Sequence, residues 1–193
     1  MTLDQFPQFR VADTTVEDGI VCYVGTFEPT PKVSESWMGY LFTKDRGLAR
    51  GRFACRPNST TIAFSPWDAA QMELRIGESY AYIEGYWGEK AALVLDHAHR
   101  WERKEFQPQD AFEPEWSGRN GPKIWGKAAE HVGEPGRIIP AAWDHAHCAI
   151  CWAKIAQYEQ PYGYRSSDDD TWVCERCYTQ YVEPRSLAFI RLA

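Results

Sequence analysis

The sequence predicts an α+β protein with a mostly antiparallel, β-rich N-terminal domain, either a sandwich or a small barrel, followed by a small C-terminal module. Two observations lead to this prediction. Short apolar stretches separated by turn signals fill the first 100 residues, and four of the six cysteines form two Cys-x-x-Cys pairs near the end of the chain. The 193 residues, 44% hydrophobic and 25% charged, suit one globular domain or one domain with an added module.

The β-rich domain is expected over residues 1–100. Its segments contain many β-branched and aromatic residues and are bounded by turns rich in Gly, Pro and Asp. This spacing is typical of an antiparallel sheet that packs as a sandwich or curls into a barrel. One short helix is expected at 66–72, where Pro66 provides a start. The predicted strands are 19–27, 37–43, 47–55, 60–64, 72–76, 80–86 and 91–96.

Residues 101–142 have a different character, because they are charged and rich in proline, which excludes long regular elements. Trp116 and Trp125 lie in this segment, and a free linker rarely contains two tryptophans. We therefore expect an ordered wrap that packs its aromatic side chains onto the β-rich domain. A short helix is expected within it, over 123–131.

The six cysteines divide into two groups. Cys22 and Cys55 stand alone in predicted strands. Since the sequence shows no export signal, buried reduced thiols are favoured over a disulfide between these two. The other four form two Cys-x-x-Cys pairs, and each pair sets two thiolates on one side of a tight turn, as a tetrahedral zinc site requires. The predicted zinc ligands are Cys148, Cys151, Cys174 and Cys177.

The residues around these pairs resemble the treble-clef family of zinc fingers, over 143–182. The order is a knuckle with the first pair, a hairpin, and a helix that carries the second pair and ends at Pro184. The resemblance implies a structural zinc ion with four sulfur ligands and no open position for water or substrate. The zinc module is therefore predicted at 143–193. Its apolar tail, 187–192, is expected to lie along the sheet.

Composition favours a protein partner over nucleic acid. A net charge of −6 opposes general binding to phosphate backbones, and an aromatic content of 15% suits a protein interface. The segments 143–152 and 172–178 are similar to the tails of small uncharacterised bacterial proteins, some of which resemble toxin-neutralising immunity proteins. This implies a non-catalytic, cytoplasmic zinc protein that binds a protein such as a toxin. No apolar run is long enough to span a membrane, so no membrane association is expected.

Nucleic-acid binding stays open as an alternative because of a basic segment at 44–56. Its side chains could contact phosphates, with aromatic residues nearby for stacking. A solvated strand face with charges that protect a sheet edge explains the same pattern. The basic residues are Lys44, Arg46, Arg50, Arg52 and Arg56.

A metal-dependent enzyme is the other alternative. His97 and His99 would face one side of the predicted strand 91–99 and, with Asp96, could hold a catalytic metal, although a polar strand face near the sheet edge is the favoured explanation. The sequence contains no nucleophile elbow, P-loop, dinucleotide fingerprint or His-Glu-x-x-His motif, which disfavours an enzyme.

The tetrapeptide Asp-His-Ala-His occurs twice, at 96–99 and again at 144–147. In the second copy, His145 or His147 could replace a cysteine as a zinc ligand. Alternatively, Asp144 or His147 could hydrogen-bond a zinc thiolate or orient the knuckle. If the two copies lie side by side, four histidines would meet.

Overall fold

The structure is a computed structural model. Its contacts divide the chain into two compact units, Met1–Ala98 with Gln180–Ala193, and His99–Thr179. The sequence-based division into 1–100, 101–142 and 143–193 stays a prediction. The structure describes residues 2–17, 19–31, 35–43, 45, 47–56, 59–67, 73–115, 126–167 and 170–190.

Six antiparallel strands in the described part of the first unit close into a barrel. They are β1 (Gln8–Glu17), β2 (Ile20–Glu28), β3 (Ser36–Phe42), β4 (Leu48–Cys55), β5 (Ile62–Pro66) and β6 (Ser79–Glu84). The order around the barrel is β1-β2-β5-β4-β3-β6, and β6 returns to pair with β1. Of the two architectures that the sequence left open, the structure has the small barrel.

The barrel interior is filled by aromatic rings. Phe53 is fully buried, and the centroid of its ring lies 4.6 Å from the ring centroid of Phe64, 5.3 Å from that of Tyr82 and 5.7 Å from that of Phe9. The ring of Trp37 stacks on that of Phe53, with centroids 5.4 Å apart. Alternate residues of a barrel strand face inward, so each strand contributes rings to this one cluster. Many of the aromatic residues that suggested a protein interface therefore lie in a core.

A helix replaces the predicted strand at 91–96, and that prediction is wrong. The helix α1 (Gly85–Leu95) follows β6 directly. Gly85, Gly88 and Ala91 are buried at three-residue spacing along it. A Cβ atom at Gly88 would lie 2.2 Å from Cδ2 of Tyr40 in β3. These small residues let α1 pack closely on β3, and this tertiary contact outweighs the strand-like apolar run at 91–95.

Two other expectations in this unit differ from the structure. The predicted strand at 72–76 is not formed over 73–76, where Ile76 and Gly77 make a turn and Gly77 has a φ of 87°. Pro66 ends β5 rather than starting a helix, and most of the helix predicted at 66–72 falls outside the described residues.

The described part of the apolar tail belongs to the first unit, and its expected position along the sheet stays a prediction. Leu187 and Ile190 are buried. The ring of Phe189 lies 5.3 Å from Tyr181 and 6.3 Å from Trp87 of α1. The segment therefore turns against the helix, and residues 191–193 lie outside the described part of the chain.

The second unit contains short strands in three small sheets. The strands are β7 (Trp101–Glu105), β8 (Gln109–Pro114), β9 (Gly126–Lys127), β10 (Gly136–Trp143), β11 (His145–His147), β12 (Lys154–Ala156), β13 (Tyr162–Ser166) and β14 (Trp172–Cys174). The sheets are β10-β8-β9, β11-β12 and β14-β13-β7. A short helix, α2 (Glu175–Cys177), follows β14 and continues as a π-helical turn, Tyr178–Val182.

The described part of the predicted wrap therefore forms strands of the second unit. Over 126–130 the expected helix is absent, and β9 runs into a 3₁₀ turn, Ala128–Glu130. Trp116 and Trp125, which suggested the wrap, lie outside the described residues. No helix in the described part of the chain is both long and apolar enough to cross a membrane.

Substitution of Gly88 by Ala is predicted to destabilise the barrel unit by about 1–3 kcal/mol, because the new methyl group would displace the ring of Tyr40. Gly85→Ala is the matched control, since its Cβ would meet the flexible Cε of Met38 at 2.9 Å. Urea unfolding of the full chain should show a clear decrease in the free energy of unfolding for Gly88→Ala and a smaller decrease for Gly85→Ala. Equal effects would contradict close packing of α1 on Tyr40.

The barrel is also predicted to lose stability at alkaline pH. Burial raises the pKa of Tyr82 from 10.0 to about 12. The unfolded chain therefore releases the Tyr82 proton at lower pH than the folded chain. The contribution of buried Tyr82 to the free energy of unfolding is intact below pH 10 and is lost as pH rises towards 12. The slope from this one group is about 1.4 kcal/mol per pH unit. Between pH 9 and 11.5, the free energy of unfolding measured with denaturant should fall less steeply with pH for Tyr82→Phe than for the unmodified chain. Identical slopes in the two chains would contradict this prediction.

Candidate metal centre

The structure brings the four predicted ligands together. Their Sγ atoms all lie within 4.8 Å of one another, and those of Cys151 and Cys174 are 3.7 Å apart. In a tetrahedral zinc site with Zn–S bonds of about 2.3 Å, neighbouring sulfurs are about 3.8 Å apart. The cluster could therefore hold a metal ion, and four thiols suit zinc. The assignment of zinc to these residues stays a prediction: Cys148, Cys151, Cys174 and Cys177.

The first pair lies in the loop that joins β11 to β12. Here the backbone N–H of Cys148 donates to the carbonyl of Ala153 at 2.9 Å, and that of Trp152 donates to the carbonyl of Cys148 at 2.8 Å. Trp152 has a φ of 63°, a left-handed conformation that is costly for a residue other than glycine. These bonds hold Cys148 and Cys151 on one side of a tight turn.

The second pair lies where β14 meets α2. Cys174 ends β14 opposite Gly163 of β13, and Cys177 ends α2. The backbone N–H of Ala149 in the first loop donates to the carbonyl of Trp172 in β14 at 2.8 Å. This bond joins the two cysteine-bearing segments directly.

Strand β7 supports this arrangement, and the sequence did not predict it. Its residues pair with β13, and Arg103 forms an ion pair with Glu175 of α2 at 2.7 Å. The guanidinium of Arg103 also lies 4.2 Å from the ring of Tyr162. The segment reads Trp-Glu-Arg-Lys-Glu, which lacks the apolar alternation of a half-buried strand. Charged residues of this kind are typical of edge strands, and this was the available signal.

The thiols of the cluster influence one another strongly. Hydrogen bonds from the thiols of Cys174 and Cys177 lower the pKa of Cys148, and backbone N–H groups act in the same direction. Donation to Cys148 raises the pKa of Cys174 to about 11 and also raises the pKa of Cys177. Four thiolates this close repel one another, so a divalent cation is needed to keep them all ionised.

Positive charge reaches the cluster from its solvent side. The exposed guanidinium of Arg176 donates a hydrogen bond to the sulfur of Cys151, and this contact raises the pKa of Arg176. Cys151 is also the least buried of the four cysteines. Arg176 thus offsets part of the charge at the sulfur that water can reach.

The remaining cysteines stay outside this site and form no disulfide. Cys22 is buried, as predicted, with its sulfur 3.1 Å from the hydroxyl of Ser65. Cys55 is exposed at the end of β4, so its predicted burial is wrong. The exposed end of a barrel strand lacks the inward position that burial requires.

His145 and His147 lie in β11, immediately before the first pair, but neither belongs to the four-sulfur group. Nδ1 of His145 is 2.5 Å from a carboxylate oxygen of Asp144, and Nδ1 of His147 is 3.1 Å from the carbonyl oxygen of Trp152. Of the roles predicted for this copy of the motif, orientation of the knuckle by His147 agrees with these contacts.

The geometry assumed for His97 and His99 is wrong. Because α1 ends at Leu95, His97 lies in a turn rather than on a strand. Its Nε2 atom is 2.8 Å from a guanidinium nitrogen of Arg185, and a cation in that position disfavours a metal ion. The ring of His99 packs against that of Trp101, with centroids 5.8 Å apart.

The described arginines of the basic segment form ion pairs and hydrogen bonds with other residues of the barrel unit. Arg50 forms an ion pair with Glu89 at 3.0 Å, and Arg56 with Glu17 at 2.9 Å. Nε of Arg52 donates to the hydroxyl of Ser36. These contacts weaken the case for phosphate binding. Two basic residues of the segment lie outside the described residues, Lys44 and Arg46.

No protein-family model matches this chain, and comparisons with curated proteins and with solved structures found no match either. The similarities to treble-clef fingers and to immunity proteins therefore rest on the sequence pattern alone. Any function has to be argued from the residues of the site itself.

Proposed function

We propose that the four-cysteine cluster holds one structural zinc ion, and that the module it stabilises is a binding surface for a protein partner. The observation that supports zinc is the meeting of four sulfurs from two separate segments of the chain. A full set of four sulfur ligands leaves no position for water or substrate, so the ion would act on folding rather than on chemistry.

The arrangement of elements supports a treble-clef-like module. The β11–β12 loop carries the first pair, β13 and β14 form a hairpin, and α2 follows with the last cysteine. This is the order of knuckle, hairpin and helix in that family. The two cysteine pairs lie in separate segments joined by strands of only three to five residues, so a metal crosslink would supply folding energy.

Exposed aromatic side chains in the second unit support a protein-binding surface. Trp152, in the loop of the first cysteine pair, is 65% exposed, and Tyr158 is 92% exposed. Trp and Tyr are enriched among the residues that dominate binding energy at protein interfaces. Trp152 also occupies a left-handed backbone position that glycine would adopt at lower cost. An exposed, conformationally costly tryptophan is more readily explained by binding than by stability.

The charge of the chain favours a basic partner surface, since the net charge is −6. A toxin as that partner stays a prediction from the sequence resemblance. Nucleic-acid binding loses support from the glutamate partners of Arg50 and Arg56, and an enzyme at His97 loses support from the adjacent Arg185.

Zinc content tests the first half of the proposal. Native mass spectrometry and elemental analysis should find one zinc ion per chain. Cys148→Ser and Cys174→Ser should lose it and leave an aggregation-prone module, because three sulfurs hold zinc less tightly than four. Cys55→Ser, an exposed cysteine of the barrel unit, is the matched control and should keep the ion. An unmodified chain that purifies without zinc, or a Cys174→Ser chain that keeps it, would overturn the assignment.

The binding surface is tested with Trp152→Ala in the zinc-loaded full chain. Affinity for a partner captured by the unmodified chain should fall about tenfold or more, as for a dominant interface residue. Trp67→Ala is the matched control, because Trp67 is 56% exposed but belongs to the barrel unit. Equal losses in the two variants would contradict a surface at the knuckle. Capture that disappears on nuclease treatment would favour the nucleic-acid alternative.

A further inference from the structure

A pair of histidines next to the cysteine cluster has the features of a second metal site. His145 and His147 are separated by one residue on β11, so both side chains lie on the same face of the strand. Their Nε2 atoms are 3.2 Å apart, and their ring planes are nearly perpendicular, at 86°. His147 is exposed and the side chain of His145 is 37% exposed, so ions in solution can reach both.

The other ring nitrogens determine which tautomers are present. Nδ1 of His145 is 2.5 Å from Oδ1 of Asp144, and Nδ1 of His147 is 3.1 Å from the carbonyl oxygen of Trp152. Since a carboxylate and a carbonyl only accept hydrogen bonds, both Nδ1 atoms are donors. With Nδ1 as the donor in both rings, Nε2 is the atom of each ring that can bind a metal ion, and the two Nε2 atoms face each other.

The separation and orientation of the two Nε2 atoms suit a shared metal ion. We propose that His145 and His147 bind a divalent transition metal such as Zn²⁺ or Ni²⁺ through their Nε2 atoms, at a site distinct from the four cysteines. With metal–nitrogen bonds of about 2.0–2.1 Å, a 3.2 Å separation gives an N–metal–N angle of about 100–106°, near the tetrahedral value. Imidazole nitrogen is a preferred ligand of both ions.

The contacts at Nδ1 match those that orient metal-binding histidines elsewhere in proteins. Such histidines almost always donate the second ring N–H to a carboxylate or to a backbone carbonyl. Here His145 donates to the carboxylate of Asp144, and His147 donates to the backbone carbonyl of Trp152. The nearest basic residue on the paired strand is Lys154, opposite His147, and its ammonium is held by Glu159 at 3.1 Å. Two protein ligands leave the other coordination positions open, so this site is expected to bind more weakly than a closed one.

The site goes beyond the proposed function and does not depend on a protein partner. It depends on the fold of the first cysteine loop, because the carbonyl of Trp152 orients His147. Zinc at the cysteines and metal at the histidines are measured separately, so failure of one proposal can be told from failure of the other. A chain without tightly bound zinc that still binds nickel at the pair would contradict only the cysteine assignment.

The test uses the full chain with its zinc retained and without a histidine tag. Titration calorimetry with Ni²⁺ should show one further equivalent per chain, which imidazole removes while elemental analysis finds the original zinc unchanged. His145→Gln and His147→Gln should abolish this binding, and Asp144→Asn should weaken it about 10- to 100-fold. His97→Gln is the control and should bind Ni²⁺ like the unmodified chain.

A second measurement avoids any effect of substitution on folding. In the unmodified chain, paramagnetic Ni²⁺ should broaden the imidazole ¹⁵N signals of His145 and His147 before those of the other histidines. If the pair shares only a proton, no further equivalent of Ni²⁺ binds and the proposal fails. Binding that survives in both His145→Gln and His147→Gln, or broadening that is strongest at other histidines, would overturn it as well.

Discussion

The meeting of four sulfurs from two segments of the chain is the constraint on which the second unit depends. The sulfurs lie within 4.8 Å of one another, and as thiolates they would repel one another unless a cation lay among them. The surrounding strands are only three to five residues long, and β7 at their edge is mostly charged. A cation bound by both loops would hold them in register together with the buried side chains of Ile155 and Val173. The hydrogen bond from the N–H of Ala149 to the carbonyl of Trp172 joins the two segments through the backbone.

The barrel unit is stabilised in a different way. Phe53 and the rings around it form a continuous core, and the helix that follows β6 seats glycines against β3. Because the two units are stabilised differently, we expect them to respond differently to metal removal and to changes in core packing. Metal removal should act on the second unit, whereas changes of side-chain volume should act on the first.

The parts of the fold that could be predicted were those with local chemical signatures. Cysteine spacing located the four sulfurs, and β-branched and aromatic runs located β2 to β6. Strand β1 was missed because only Phe9 and Val11 in its first half are buried, while its second half is polar and exposed. The sequence does not predict the helix α1, because Gly85 and Gly88 matter only through their contacts with Met38 and Tyr40, which no local pattern reveals. The histidine pair required the carbonyl of Trp152, whose position follows from a left-handed backbone turn rather than from composition.

The division of the chain has a consequence for its synthesis. Residues 180–190 complete the barrel unit, with Leu187 and Ile190 buried in it, yet the whole second unit is encoded before them. On the ribosome, strands β1–β6 and α1 therefore wait while residues 99–179 are added, about 4–16 s at typical elongation rates. During that interval the surface of α1 near Trp87, later covered by Phe189, is open to chaperones.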